Sequence, residues 1–306
     1  MNRRLRPAMP VALLASLLLL AGTPGPGEAQ DELRVYISAD MEGVVGAVTG
    51  EQLGPGGFEY ERFRELMTRE VLAAIEGARE AGADEILVSD SHGNGQNLVL
   101  ELLPPDIQVI RSWPRPLMMM QGVERGFDAA VFLGYHSGTT NPEGVRAHTI
   151  SSANLTAVRL NGIAMPEGGI NAAIAGHFGV PVVMISGDDA AVAEVRRIVG
   201  DVEGAVVKWS LSFHSARTLM PRAAYELIRQ KVAAGLGRLD ELEPYRLETP
   251  VELEVSFKHY RPPQLLAYLP GVERTDSHTI RFVGEDMVQV SRFLEFITSY
   301  GVPLEP

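Results

Sequence analysis

Hydrophobic residues along the chain follow two patterns, short apolar runs and a longer stretch with a helical repeat. Residues 33–37, 85–90 and 129–134 are short runs rich in apolar side chains, which is typical of strands buried in a parallel sheet. Residues 58–81 instead place apolar side chains on one face of a helix, and Gly82 follows as a C-cap. The order strand, helix, strand predicts a parallel βαβ unit.

The pattern continues with further strands after the third run. Residues 151–160 predict a strand that ends at Asn161-Gly162, a strong hairpin signal. Residues 180–186 predict another buried strand, and residues 190–199 predict the helix after it. The pair Asp188-Asp189 lies between these two elements and suits either a helix cap or a metal site, of which we favour the cap.

The pattern changes from about residue 204 onwards. Residues 221–236 predict an amphipathic helix that opens with proline. Residues 251–257 alternate apolar and charged side chains, as a half-exposed antiparallel strand does, and residues 279–283 are the expected partner strand. Residues 286–300 predict a closing helix.

These elements predict an α/β fold with a mostly parallel sheet and flanking helices, plus a smaller C-terminal α+β subdomain. We expect a signal peptide at residues 1–29, an α/β metal-binding catalytic domain at residues 30–203, and the smaller subdomain at residues 204–306.

The N-terminal segment has the pattern of a Sec-type signal peptide. A basic start precedes the apolar run of residues 11–21, and small residues follow at residues 27–29. The run is too short for a comfortable transmembrane helix, so an uncleaved N-terminal anchor is the second interpretation. We therefore expect an exported protein, periplasmic or extracellular, with no stable membrane insertion after the signal is cleaved.

The amino-acid composition excludes several partners and several kinds of site. The chain has 306 residues, a net charge of −12 and no cysteine. The negative charge argues against nucleic acid or an anionic membrane as the main partner, because both require basic patches. The absence of cysteine excludes disulfides, thiolate nucleophiles and cysteine-ligated zinc, so a metal site would have to use His, Asp and Glu.

Two carboxylates stand where the first predicted strand ends. Asp40 and Glu42 are one residue apart, so in an extended chain they project to the same side, and Gly43 allows a sharp turn behind them. Open α/β sheets bind ligands at the carboxyl ends of their strands. Two carboxylates this close repel each other unless a proton or a cation lies between them.

Other potential ligands occupy equivalent positions. His92 follows the second strand, His136 follows the third, and Glu167 lies near the start of a helix predicted at residues 172–178. Three carboxylates and two imidazoles suit two adjacent divalent ions with one bridging carboxylate, and zinc is favoured by the mixed nitrogen and oxygen ligands. Such a pair activates a water and polarises a carbonyl. His148 is a further imidazole available for proton transfer.

The motifs together resemble a known family. In chain order they are Ser38-x-Asp40-x-Glu42-Gly43, Asp90-Ser91-His92, Leu133-Gly134-Tyr135-His136, His148, Glu167-x-Gly169-x-Asn171-Ala172 and Gly187-Asp188-Asp189. This series is similar to that of the zinc-dependent D-aminopeptidases of the DppA type, and the resemblance extends over essentially the whole mature chain.

The resemblance implies a site and an activity. It assigns the ligands of two zinc ions to Asp40, which would bridge them, and to Glu42, His92, His136 and Glu167. It assigns the catalytic histidine to His148. It further implies hydrolysis of short peptides that releases N-terminal D-amino acids, and a homo-oligomer in the form of a decameric ring that encloses the active sites.

The sequence leaves alternatives for the role of His148 and for the class of function. We expect a metal-activated water with His148 assisting, and we favour an acid/base role for His148 over a nucleophilic one because the water reduces the need for a protein nucleophile. Alternatives are another dimetal hydrolase, either an amidase or a phosphoesterase, and a non-catalytic exported binding protein. The motifs lack the evident basic residues that usually hold a phosphoryl group.

Overall fold

The computed structural model describes residues 32–300, so the expected signal peptide lies outside the described residues. The strands are β1 (Leu33–Ala39), β2 (Ala83–Asp90), β3 (Gln108–Ile110), β4 (Ala129–Tyr135), β5 (Leu155–Leu160), β6 (Ile163–Ala164), β7 (Val182–Asp188), β8 (Glu203–Ser212), β9 (Ser215–Thr218), β10 (Val251–Phe257), β11 (Val272–Arg274) and β12 (Thr279–Gly284). The helices are α1 (Tyr60–Glu80), α2 (Glu167–His177), α3 (Asp189–Val199), α4 (Pro221–Leu236), α5 (Arg261–Leu266) and α6 (Met287–Ser299). None of the described helices has the length and apolar composition needed to span a bilayer.

A seven-stranded sheet forms the centre of the fold. Its strand order is β3-β2-β1-β4-β7-β8-β9, and every neighbouring pair is parallel except the last. Helices α1 and α4 pack on one face, where they bury alternate strand residues such as Val35 and Ile37. Tyr36 points to the opposite face, whose core includes residues of α2, α3 and α6. Burial on both faces explains why these strands are apolar runs rather than alternating patterns.

A second sheet is wholly antiparallel, with the order β11-β12-β10-β5-β6. In β10 the apolar residues are buried and the charged ones are half-buried, as the alternation predicts. Asn161 and Gly162 both have positive φ, 48° and 79°, which is the geometry of a tight hairpin turn between β5 and β6. The predicted α/β class, with a mostly parallel sheet and additional antiparallel structure, is confirmed.

The expected boundary between residues 203 and 204 does not separate these sheets. It falls at the start of β8, which extends the parallel sheet, while β5 and β6 come from the earlier part of the chain and join the second sheet. The described residues 32–300 form one compact unit. Strand partners far apart in sequence decide the sheets, and a local pattern does not contain that information.

Short elements and element ends were also compared with the expected pattern. The strand expected from residue 151 starts at Leu155. The short elements β9, α5 and β11 were not expected from the pattern. Asp188 is the N-cap of α3, because its side chain accepts a hydrogen bond from the Ala191 N–H at 2.7 Å, as the favoured interpretation predicts.

Gly43 lies where the chain leaving β1 crosses the end of β4. Its N–H donates to the carbonyl oxygen of Gly134 at 2.6 Å, and the Asp40 N–H donates to that of Leu133 at 2.8 Å. A Cβ atom on Gly43 would lie 2.1 Å from the carbonyl oxygen of Tyr135. Glycine is therefore required here for close backbone approach, and this contact fixes the height of the Asp40 and Glu42 side chains above the sheet.

We predict that Gly43→Ala lowers the free energy of unfolding by about 2 kcal/mol or more, because the added methyl group cannot fit without moving β1 or β4. Thermal unfolding of the variant measures this. Gly56→Ala is the matched control, since a Cβ atom at Gly56 meets nothing within 4 Å. Equal stability of the two variants would show that the crossing can relax.

Candidate metal centre

The ends of three neighbouring strands bring three predicted residues together. Asp40 follows β1, His92 follows β2 and His136 follows β4, and these strands are adjacent and parallel in the sheet. Their carboxyl ends therefore meet at one edge, where ligand sites of open α/β sheets form. The three residues are 3%, 6% and 1% exposed, so the cluster is almost closed to water.

The other three predicted residues reach the cluster from loops and a helix start. Glu42 lies two residues beyond Asp40, and Glu167 is the first residue of α2, where the Ile150 N–H donates to its carboxylate at 2.6 Å. His148 belongs to the loop between β4 and β5, and its own N–H donates to the Ser137 carbonyl at 3.0 Å. The structure thus brings all six predicted residues into one cluster.

Each imidazole is oriented by a backbone carbonyl. His92 Nε2 lies 2.7 Å from the Leu53 oxygen, His136 Nδ1 lies 3.0 Å from the Ser137 oxygen, and His148 Nδ1 lies 2.8 Å from the Arg146 oxygen. A carbonyl only accepts hydrogen bonds, so these ring nitrogens are the protonated ones. In the neutral tautomer the opposite nitrogen of each ring is then a lone pair, which is the arrangement that metal-ligating histidines use.

All three of these lone-pair nitrogens face carboxylates. His92 Nδ1 lies 2.8 Å from Glu42 Oε2 and 3.1 Å from Asp40 Oδ1. His136 Nε2 lies 3.4 Å from both Asp40 Oδ2 and Glu167 Oε1. His148 Nε2 lies 3.7 Å from Glu167 Oε1 and 4.0 Å from Glu42 Oε1.

Such facing acceptors require a positive charge between them. Asp40 Oδ2, Glu42 Oε2 and His136 Nε2 are buried and have no hydrogen-bond partner among the described residues. A buried polar atom without a partner is unfavourable, and a proton or a metal ion removes the conflict. The donor set therefore fits a metal ion on chemical grounds.

The pKa values show the same conflict. Burial and the Glu42 carboxylate raise the pKa of Asp40. Burial acts to raise the pKa of Glu42 as well, but the imidazoles, His92 foremost, outweigh it and hold that pKa well below its usual value. Burial opposes charging of His92 and His136, yet the carboxylates hold the pKa of each ring well above its ordinary value. A metal ion must displace these protons, so affinity falls as the pH falls.

The ligand atoms form two overlapping groups. Asp40, Glu42 and His136 present atoms within 4.8 Å of one another, and so do His136, His148 and Glu167. The rings of His136 and His148 are stacked, with centroids 3.9 Å apart and planes inclined by 7°. His148 thus lies close enough to His136 and Glu167 to share a metal ion with them. The division into five ligands and one catalytic histidine remains a prediction.

A cavity of about 280 Å³ opens above the cluster. The six clustered His, Asp and Glu residues line it, and so do Trp113, two buried methionines and residues of helix α6. Met118 and Met119 therefore line the site as well as the core. Residues that line the cavity from α6 are Glu295, Thr298 and Ser299.

Lys208 is a supporting residue that the sequence motifs did not identify. It lies on β8, is fully buried, and donates to the backbone carbonyls of Glu42, Val44 and Ala47, the last two at 3.2 and 2.5 Å. Burial lowers its pKa to about 8, and nearby carboxylates limit the fall. A lysine inside an apolar strand was the available signal.

The fold and this cluster define the class of protein. A buried set of imidazoles and carboxylates at the carboxyl edge of a parallel sheet, beneath a cavity, is the site of a metal-dependent hydrolase. Comparison with known proteins identifies the family. The family model described as D-aminopeptidase matches residues 33–296. The chain belongs to the D-aminopeptidase family.

Individual relatives agree with this placement. The chain is 33% identical over 274 residues to a D-aminopeptidase of Bacillus subtilis strain 168, which covers 88% of this chain and 98% of the relative. It is also similar to the solved structure of the Zn-dependent D-aminopeptidase DppA from Bacillus subtilis, described as a self-compartmentalizing protease. That match has a TM-score of 0.84 and 31% identity, and covers 89% of this chain and 99% of the other. The resemblance inferred from the motifs and the prediction of a metal-dependent hydrolase are confirmed.

We predict that Lys208→Met weakens zinc binding by about 10-fold or more, because the Glu42 segment loses the donor to three backbone carbonyls. Competition titration against a zinc chelator measures the affinity. Lys231→Met is the control, since Lys231 forms only a partly exposed pair with Glu203. Unchanged zinc affinity in Lys208→Met would mean that packing alone positions the segment.

Proposed function

We propose that this chain is an exported dizinc aminopeptidase that hydrolyses the N-terminal peptide bond of short peptides and prefers D-amino acids. The observation that supports it best is the buried cluster in which three imidazole nitrogens, each with its tautomer set by a backbone carbonyl, face three carboxylates. Membership of the D-aminopeptidase family supports the reaction class.

In this proposal five residues hold two zinc ions. Asp40 contacts both His92 and His136 through different carboxylate oxygens, which suits a bridging ligand. Glu42, which faces His92, and Glu167, which faces His136, would be further ligands. When bound, the metal pair lowers the pKa of a water and polarises the scissile carbonyl.

His148 would move the proton. Its Nδ1–H donates to the Arg146 carbonyl, which leaves Nε2 free to accept a proton, and its side chain is 12% exposed beside the cavity. From that position it can take a proton from the attacking water and deliver it to the leaving amine. The backbone hydrogen bond keeps the ring in the correct orientation throughout.

The cavity supports a peptide substrate over a phosphoryl one. Within residues 32–300, neither lysine nor arginine lines it, so the phosphoesterase alternative lacks the cationic side chains that stabilise a transferring phosphoryl group. A volume of about 280 Å³ suits a small peptide.

The D-preference, the oligomer and the export are supported by other observations. A relative described as a D-aminopeptidase and self-compartmentalizing protease supports the D-preference and a homo-oligomer, for which we propose the decameric ring. The basic and apolar N-terminal pattern supports export to the periplasm or the exterior. An exported enzyme of this kind would act on cell-wall-derived D-alanine peptides or on scavenged peptides.

We predict that His148→Ala lowers kcat by about 10²–10⁴-fold while the protein keeps two zinc ions, because the variant loses proton transfer and no ligand. Steady-state kinetics and metal analysis of the same sample measure both. His177→Ala, an exposed histidine at the end of α2, is the control. Loss of zinc from His148→Ala would make His148 a ligand and overturn this division of roles.

The test of the function itself combines metal analysis with stereochemistry. We expect the purified mature protein to contain about two zinc ions per chain and to hydrolyse D-Ala-D-Ala faster than L-Ala-L-Ala, with a chelator abolishing both reactions. Two zinc ions with cleavage of the L-peptide alone would retain the metal centre and overturn the D-preference. Absence of both zinc and hydrolysis would overturn the proposal.

A further inference from the structure

We infer that Glu295 binds the α-ammonium group of the substrate and so restricts the enzyme to peptides with a free N-terminus. This inference rests on the proposed function and goes beyond it, since it places substrate recognition on helix α6. The cluster of three imidazoles and three carboxylates would account for bond cleavage, but nothing in that cluster distinguishes a free N-terminus from an acylated one.

Glu295 is buried and lacks a partner. It is 7% exposed, and its Oε1 has no hydrogen-bond partner among the described residues. No salt bridge joins it to any cation in the part of the chain that the structure describes. Glu295 lines the same cavity as Asp40 and His148. A carboxylate buried in this way is unfavourable unless a bound group supplies the missing charge.

Arg115, a cationic side chain on which the Glu295 charge acts, is already engaged by other groups. Arg115 donates to Ser89 Oγ at 2.8 Å and to the Asp90 carbonyl at 2.7 Å, and its guanidinium lies 4.2 Å from the centre of the Trp113 ring. Burial lowers the pKa of Arg115, and Glu295 is among the anionic groups that oppose this fall. Arg115 and Glu295 form no ion pair among the described residues.

The helix that presents Glu295 is held firmly against the cavity wall. Ser291 Oγ, one turn earlier on α6, donates to the Pro116 carbonyl at 2.9 Å. Leu294 is fully buried beside Glu295, and Thr298, which also lines the cavity, donates to the Leu294 carbonyl at 2.7 Å. The helix backbone that carries the carboxylate is therefore fixed in place, which reduces the entropy lost on binding a ligand.

The chemistry of the substrate identifies the ligand. Two bonds separate the α-ammonium group from the scissile carbonyl carbon, so a carbonyl held over the metal cluster places that ammonium group inside the same cavity. Asp40, Glu42 and Glu167 would be engaged with the metal ions, which leaves Glu295 as the remaining carboxylate among the described residues that line the cavity. An ammonium group and a buried carboxylate form a charge-assisted hydrogen bond.

The test compares two competitors that differ only in the charged group, D-alaninamide and D-lactamide, against hydrolysis of D-Ala-p-nitroanilide. In the wild-type enzyme we expect D-alaninamide to inhibit at least about 10-fold more strongly, because it alone supplies an ammonium group. In Glu295→Gln we expect this ratio to fall towards one through weaker inhibition by D-alaninamide, with unchanged zinc content and melting temperature.

Glu285→Gln is the matched control, because Glu285 is exposed just before the same helix, and its ratio should equal that of the wild type. An unchanged ratio in Glu295→Gln, or equal weakening of both competitors, would overturn the inference. The L-compounds with L-Ala-p-nitroanilide repeat the comparison if the enzyme prefers L-peptides. If the wild-type enzyme is inactive on both anilides, D-Ala-D-Ala and L-Ala-L-Ala replace them as the assay substrates, and inactivity on these peptides too would overturn the proposed function and the inference with it.

Discussion

The structure depends on one electrostatic constraint, the burial of three carboxylates and three imidazoles that present only acceptors to one another. Backbone carbonyls of Leu53, Ser137 and Arg146 take the single N–H of each ring and thereby fix which nitrogen faces the carboxylates. Without a metal ion, protons must supply the positive charge, and the carboxylates accordingly hold the pKa values of His92 and His136 well above the ordinary value. This conflict is the strongest physical reason for a metal ion, because a site that served packing alone would be more stable with apolar residues.

The rest of the fold holds this unfavourable cluster in place. Adjacent parallel strands bring three segments to one edge, and the contact of Gly43 with the end of β4 sets their relative height. Lys208 reaches from β8 to the carbonyls behind Glu42, so the acidic segment is supported from two strands rather than one. Burying a lysine is itself costly, and the nearby Asp188 and Glu70 carboxylates offset part of that cost.

Sequence patterns predicted the parts of this arrangement that depend on local chemistry. The βαβ unit follows from periodicity alone, and residues at the ends of parallel strands must share an edge, so Asp40, His92 and His136 were expected to meet. The pairing of β5 with β10 was not predictable, because it joins residues about 95 positions apart in the chain. Lys208 and Glu295 were missed for the same reason, since each acts on a segment far from it in sequence and belongs to no motif.

Two kinds of element line the cavity, and they serve two different tasks. The predicted metal ligands come from the ends of strands β1, β2 and β4 and the start of α2, whose positions are fixed by the parallel sheet. Helix α6 also lines the cavity, and its core contacts include the second sheet and α2. Bond cleavage requires ligand geometry within fractions of an ångström, which a continuous sheet supplies. Recognition of a substrate terminus tolerates a helix that packs on a separate layer, so substitutions along α6 can alter which peptides bind without disturbing the cluster that would cleave them.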